Sequence, residues 1–142
     1  MPAYDEDVYA WAFEQARFLR EGRFDLLDIE HLADEIEDVG KAELRELVKD
    51  ISLLLAHLLK WYYLPSERTA SRSVMVDVQR LRIGESFAES PSLRERIDEP
   101  RKCQLIWAEA LAQAAADVER DCFPTECPWV IANILSKGWL PT

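Results

Sequence analysis

An all-α domain is the fold class this sequence predicts, and three observations carry it. Hydrophobic residues at 49% and charged residues at 31% exclude a disordered chain, while only four glycines disfavour a turn-rich β fold. Apolar residues recur at helical spacing along most of the chain. The stretch "LVKDISLLLAHLLKWYYLP" begins as a one-faced amphipathic helix and ends apolar all round. With Leu44 as reference and about 100° per residue, Leu47, Val48, Ile51, Leu55, Leu58 and Tyr62 stay within about 60° of it. From Leu53 a second stripe of Leu53, His57 and Trp61 appears opposite. A helix apolar on both sides must be covered on both sides, which places it at the centre of a bundle. The expectation is a single domain over 1–142, a bundle of five or six helices around a central helix near 41–63.

The first helix is expected from about Asp5 to Glu21, with Tyr4, Val8, Trp11, Ala12, Gln15, Phe18 and Leu19 on one face. Acidic Asp5, Glu6 and Asp7 suit its N-terminus, and Gly22 ends it. Asp28 reads as the N-cap of a second helix whose core face is Ile29, Leu32, Ala33, Ile36 and Val39. Gly40 ends, bends or merely punctuates that helix, so its continuity with the next, about Lys41 to Tyr63, stays open. Pro65 and the Ser/Thr-rich "PSERTASRS" interrupt the chain there. Over Ser73 to Ala88, Val74, Val78 and Leu81 share one side and Val76, Ile83 and Phe87 the other. Helix is preferred to strand for 73–79 because the pattern outruns an ordinary strand. "SPSLRERIDEP" marks a break with a fresh N-cap at Ser90 or Ser92. The Ala-rich run from Lys102 to Asp121 is helical. A last helix opens at Pro128 and closes at Gly138.

No run approaches the ~20 uncharged apolar residues of a membrane span, and the acidic start "MPAYDEDVYA" lacks the basic opening of a secretory signal. No membrane association and a cytoplasmic location are expected. Cys103, Cys122 and Cys127 form an odd set without C-x-x-C spacing, so they read as small hydrophobes rather than a disulfide framework. The net charge of −10 opposes nucleic-acid phosphates. Its distribution is uneven: −9 over residues 1–59, +3 over 60–83 and −4 over 84–142.

Taken together, "YDEDVYAWAFEQARFLREGRF", "LADEIEDVG", "LLLAHLLKW", "SPSLR" and "FPTECPW" with its following "NIL" resemble, in that order, the bacterial family catalogued as domain of unknown function 29. The resemblance covers nearly the whole chain. It implies a small, soluble, all-α bundle with no established activity or cofactor. The family pattern tends to have Asn where this chain has His31, and a Ser-Trp pair with a nearby Thr where it has Ser73, Val74 and Asp77. The tract before "FPTECPW" is also shortened here. A site that requires His31 would therefore not be family-wide.

Two constellations could carry chemistry. His31, Asp34, Glu35 and Asp38 share a stripe of about 100° opposite the apolar face of the second helix. His31 and Glu35, joined by His57, could hold a divalent metal acting as Lewis acid or water activator. A solvated acidic face and a packed His57 are the preferred reading, because H-E-x-x-H and repeated E-x-x-H patterns are absent. Cys122 and Cys127 with both histidines match a zinc site in number only. No cofactor is expected, and no P-loop, G-x-S-x-G or G-x-G-x-x-G motif exists.

The second constellation is the basic-aromatic segment 60–83, where Lys60, Trp61, Tyr62, Tyr63, Arg68, Arg72, Arg80 and Arg82 cluster. Trp61, Arg68, Arg72 and Arg80 are the candidate partner-binding residues, with Arg72 and Arg80 as exposed anchors. The leading functional expectation is a small helical interaction module for a protein partner or a second copy of itself. A metal-dependent enzyme is the alternative. Nucleic-acid binding through 60–83 is the weaker one, against the charge.

Overall fold

Asp7 and Gly22 bracket the first helix, α1 (Val8–Glu21), in the computed structural model, which describes residues 3–116, 118 and 122–142. The Asp7 side chain accepts a bond from the Ala10 N–H at 3.1 Å, satisfying one of the free donors of the first turn. At the other end Gly22 turns left-handed at φ 72°. Its N–H donates to the Leu19 carbonyl, and the Arg23 N–H donates to the Phe18 carbonyl, a Schellman closure that glycine accommodates without strain.

The second and third expected helices are one. α2 runs unbroken from Ile29 to Tyr63, 35 residues, straight through Gly40. A Cβ at Gly40 would meet open space, so no close neighbour demands glycine there. Its propensity cost, ~1 kcal/mol, is outweighed by strong helix formers on either side. Beyond it come α3 (Ala70–Glu89), α4 (Leu93–Ile97), α5 (Pro100–Ala114) and α6 (Ile131–Leu135). The 73–79 stretch is helical, inside α3. Thr69 caps α3 by accepting from the Arg72 N–H at 3.1 Å. Ser92 precedes α4 without a side-chain cap. α5 closes at Ala115, short of the expected Asp121; residues 117 and 119–121 lie outside the described residues. Pro128 sits ahead of α6 rather than at its first turn. The described residues contain six helices and no strand, and none of these helices is long and apolar enough to cross a membrane.

The chain divides into two compact units, Met1–Glu43 and Leu44–Thr142. In the second, the α2 stripe read from the sequence is the core. Leu47, Ile51, Leu54, Leu55, Leu58 and Leu59 have essentially no exposed surface, and Val76 and Ile83 of α3, Ile97 of α4, Ile106 and Ala110 of α5 and Ile134 of α6 close around them. Each fully buried aliphatic side chain there contributes about 1.5–3 kcal/mol through loss of water contact. His57 is buried and Leu53 and Trp61 are half-buried, so the second stripe is covered too. α3 turns Val76 and Ile83 inward and leaves Val74, Val78 and Leu81 exposed.

The first unit departs from expectation. Trp11, Gln15 and Phe18 of α1 are buried, yet Val8 and Leu19 are exposed. The expected core face of the second helix is largely in solvent: Ile36 is 72% exposed and Ile29 and Val39 67% each, with only Leu32 half-buried. One helix therefore carries a buried apolar stripe in its second half and an uncovered one in its first. Leu58→Ala should lower stability by about 2–5 kcal/mol, whereas Ile36→Ala should change it by less than about 0.5 kcal/mol. Urea denaturation followed by circular dichroism would check both; comparable losses would contradict the assignment.

Candidate functional site

The first unit is a helical hairpin whose two arms meet through polar groups. Asp28, just before α2, is the junction. Its carboxylate can only accept, so the His31 Nδ1–H donates to Oδ2 at 2.7 Å and the Trp11 indole N–H donates to the same oxygen at 3.0 Å. The Asp28 N–H in turn donates to Gln15 Oε1 at 2.7 Å. Tyr4 stacks on the His31 ring at 4.1 Å between centroids and donates its hydroxyl hydrogen to Glu35. Trp11 meets Tyr4 edge-on at 4.9 Å. The stripe His31, Asp34, Glu35 and Asp38, expected in solvent, thus gives two of its members to the helix-helix seam.

The electrostatics follow from these bonds. The Asp28 partnership raises the His31 pKa, and the imidazole, seconded by the Trp11 indole, holds the Asp28 carboxyl below its usual range. The Glu35 carboxylate accepting its hydroxyl pushes Tyr4 up to about 12. Beside the seam lies an open cleft of about 390 Å³, lined by Ala3, Tyr4, Asp5, Trp11, Gln15, Leu26, Leu27, Asp28 and His31. An aspartate-oriented imidazole at such a cleft can move a proton. The stretch 3–43 nevertheless contains no serine, threonine or cysteine, so the pair has no hydroxyl or thiol of those residues to activate.

Because Tyr4 reaches His31 and Glu35 while Gln15 reaches back to Asp28, the two arms run antiparallel. In antiparallel right-handed helices, residues displaced in the same rotational sense from the contact line fall on the same side of the pair. That sense carries Val8, Ala12 and Leu19 on α1 and Ile29, Leu32, Ile36 and Val39 on α2. The opposite sense carries Glu14, Arg17 and Glu21 with Asp34, Asp38 and Lys41. The hairpin is thus amphipathic as a whole, with its apolar side uncovered and its seam polar. Sequence reading missed Tyr4, Trp11 and Asp28 as partners of His31. The available signal was Asp28, His31 and Glu35 recurring at spacings of three and four on the non-apolar face.

The expected sites resolve differently. His57 belongs to the second unit, where Arg72 Nη1 donates to its Nδ1 at 2.7 Å; guanidinium only donates, so Nδ1 accepts and the proton sits on Nε2, which is buried without a partner among the described residues. Burial first, then the positive charges of Arg72 and Lys60, lower its pKa. His31 and Glu35 belong to the first unit and His57 to the second, and among the described residues no group of three His, Cys, Asp or Glu side chains is placed to hold an ion. The zinc set is divided in the same way, His31 in the first unit and His57, Cys122 and Cys127 in the second. Cys127 instead lines an apolar pocket of about 300 Å³ with Cys103, Trp107 and Trp129, and burial pushes its thiol pKa up.

The basic segment is likewise spent on the fold. Arg68 donates from Nε to the Trp61 carbonyl at 2.6 Å and from Nη2 to the Tyr62 carbonyl at 3.0 Å, capping the C-terminus of α2. Arg72 holds Glu67 through both its carbonyl, at 3.1 Å, and its carboxylate, at 2.6 Å. Arg80 is only 9% exposed and donates from Nε to the Ile134 carbonyl at 3.1 Å. Neither Arg72 nor Arg80 is the exposed anchor expected: Arg72 is held by His57 and Glu67, and Arg80 by the Ile134 carbonyl. Trp61 is half-buried.

The two histidines give the units opposite pH responses. A raised folded pKa means that His31 stabilises the hairpin fully below its unfolded value of about 6.5 and loses that contribution as pH rises through the folded pKa. A lowered one means that His57 costs the second unit stability as pH falls below about 6.5, until its folded pKa is passed. Hydrogen exchange corrected for intrinsic rates should show amides of α1 gaining protection and those of Leu54–Leu58 losing it between pH 7.5 and 5.5. His31→Asn should abolish the first change alone; equal signs in both units would contradict the assignment.

A family model described as Domain of unknown function DUF29 matches residues 3–140. No curated protein and no solved structure matches the chain.

Proposed function

The chain belongs to the DUF29 family, and we propose that it acts as a helical interaction module whose recognition element is the apolar side of the hairpin formed by α1 and the first half of α2. The observation that carries this reading is the exposure of Ile29, Ile36 and Val39 on one helix, with Val8 and Leu19 beside them on the other. A contiguous apolar surface of that kind marks an association site in a folded chain. The reading assigns recognition to the hairpin rather than to segment 60–83, whose Arg68, Arg72 and Arg80 bond within the fold. The proposed setting is the cytoplasm, in keeping with three free thiols.

The test separates recognition from stability. A photo-crosslinking residue at Ile36 should give a discrete protein adduct in cells, and one at Asp38, on the charged side, should not. Ile36→Asp combined with the crosslinker at Ile29 should lose the adduct while the melting temperature stays within about 2 °C, as befits an exposed position. Absence of an adduct at Ile36, or equal adducts at both positions, would contradict the proposal.

A further inference from the structure

We infer that the partner covering the hairpin is a basic amphipathic helix, an inference that rests on the hairpin being a docking face. Two antiparallel helices with a shared apolar side leave a groove along their junction, the shape into which a third helix lays its own apolar stripe. On α2 the anchors Ile29, Leu32, Ile36 and Val39 are spaced three, four and three apart, the register that presents one continuous helix face. From Ile29 to Val39 the face runs ~15 Å along the axis, so about three turns of partner helix fill it.

Charge selects the class of helix. Residues 1–43 hold thirteen acidic against four basic side chains. Glu43 follows Val39 by one turn on the apolar face of α2 and is exposed, and Glu37 stands ~80° beyond Ile29 on the outer side of the helix. Of the hairpin's four basic residues, Arg17 is already engaged by Glu14 and Glu21 on its own helix and Arg23 by Asp25, which leaves Arg20 and Lys41 against the acidic excess. A helix flanked by Lys or Arg would neutralise this rim, and one flanked by Asp or Glu would be repelled. A second copy of the chain is the poorer fit. It would bring another thirteen acidic residues to the contact, and in its one positive segment Arg68, Arg72 and Arg80 are committed to internal bonds.

Fluorescence anisotropy on the full chain tests this with three labelled peptides of equal length: a Leu/Lys heptad helix, its Leu/Glu counterpart, and a Leu/Lys scramble with the same charge but no apolar stripe. The Leu/Lys helix should bind at least tenfold more tightly than either control, and 0.5 M salt should weaken it. Ile36→Asp should weaken it at least tenfold with the circular dichroism spectrum unchanged. Glu37→Lys combined with Glu43→Lys should shift preference toward the Leu/Glu helix, which keeps the test independent of the apolar variant. Equal binding of helix and scramble, or of the Leu/Lys and Leu/Glu helices, would overturn the inference. So would failure of all three peptides to bind. If in that case sedimentation equilibrium shows a dimer that Ile36→Asp dissociates, the docking face stands and only its basic occupant falls; if the chain is monomeric and Ile36 gives no crosslinked adduct, both readings fall.

Discussion

The Asp28 carboxylate decides which sides of two helices face each other. It takes the Trp11 indole hydrogen and the His31 ring hydrogen on one oxygen while its own N–H is held by Gln15. Charge-assisted bonds of this kind are stronger than neutral ones and fix geometry as well as distance. With the seam built from Asp28, His31 and Glu35, the apolar residues of the same helix cannot also face α1. Ile29 and Ile36 are turned about a third of the way round the helix from the contact line and Val39 about an eighth, and the exposure of the face follows from the location of the polar bonds.

In the second unit the same economy of polar groups works in the opposite direction. Arg68, Arg72 and Arg80 each close off a backbone or side-chain acceptor, and the apolar stripes are free to bury themselves around α2. Arg80 retains two guanidinium nitrogens without a partner among the described residues, and burial lowers its pKa. A buried guanidinium that reaches one carbonyl is a positional device, tying α3 to α6 at Ile134. The outcome is a helix, α2, whose two halves obey different rules: packing dominates after Leu44, and hydrogen bonding dominates before it.

The central helix was legible because its signal is redundant: Leu47, Ile51, Leu54, Leu55 and Leu58 fit one face, and no alternative pairing competes for them. Gly22 was legible through local chemistry alone, while the acidic run Asp5 to Asp7 marked the start of α1 only roughly: the helix opens at Val8 with Asp7 as its cap, not at Asp5. The hairpin was not. Periodicity reports which residues of a helix are apolar, and it assigns them to the core by assuming that the neighbouring helix seeks that face. Here Trp11 and Tyr4 found an imidazole and two carboxylates instead, a preference that depends on side chains separated by 17 to 31 positions. The basic segment misled for a related reason, since a guanidinium in sequence does not reveal whether a helix C-terminus or solvent will receive it. The family resemblance held over residues 3–140 and carried no site with it.

Carbene footprinting of the purified, monomeric full chain, resolved to single residues by mass spectrometry, is the most direct measure of whether the polar seam leaves the apolar side open. Ile36 and Val39 should be labelled at least as strongly as Val74 and Leu81 on the exposed face of α3, with Trp11 and Leu58 shielded. Shielding of Ile36 and Val39 to the level of Leu58 would show that the apolar stripe is core after all.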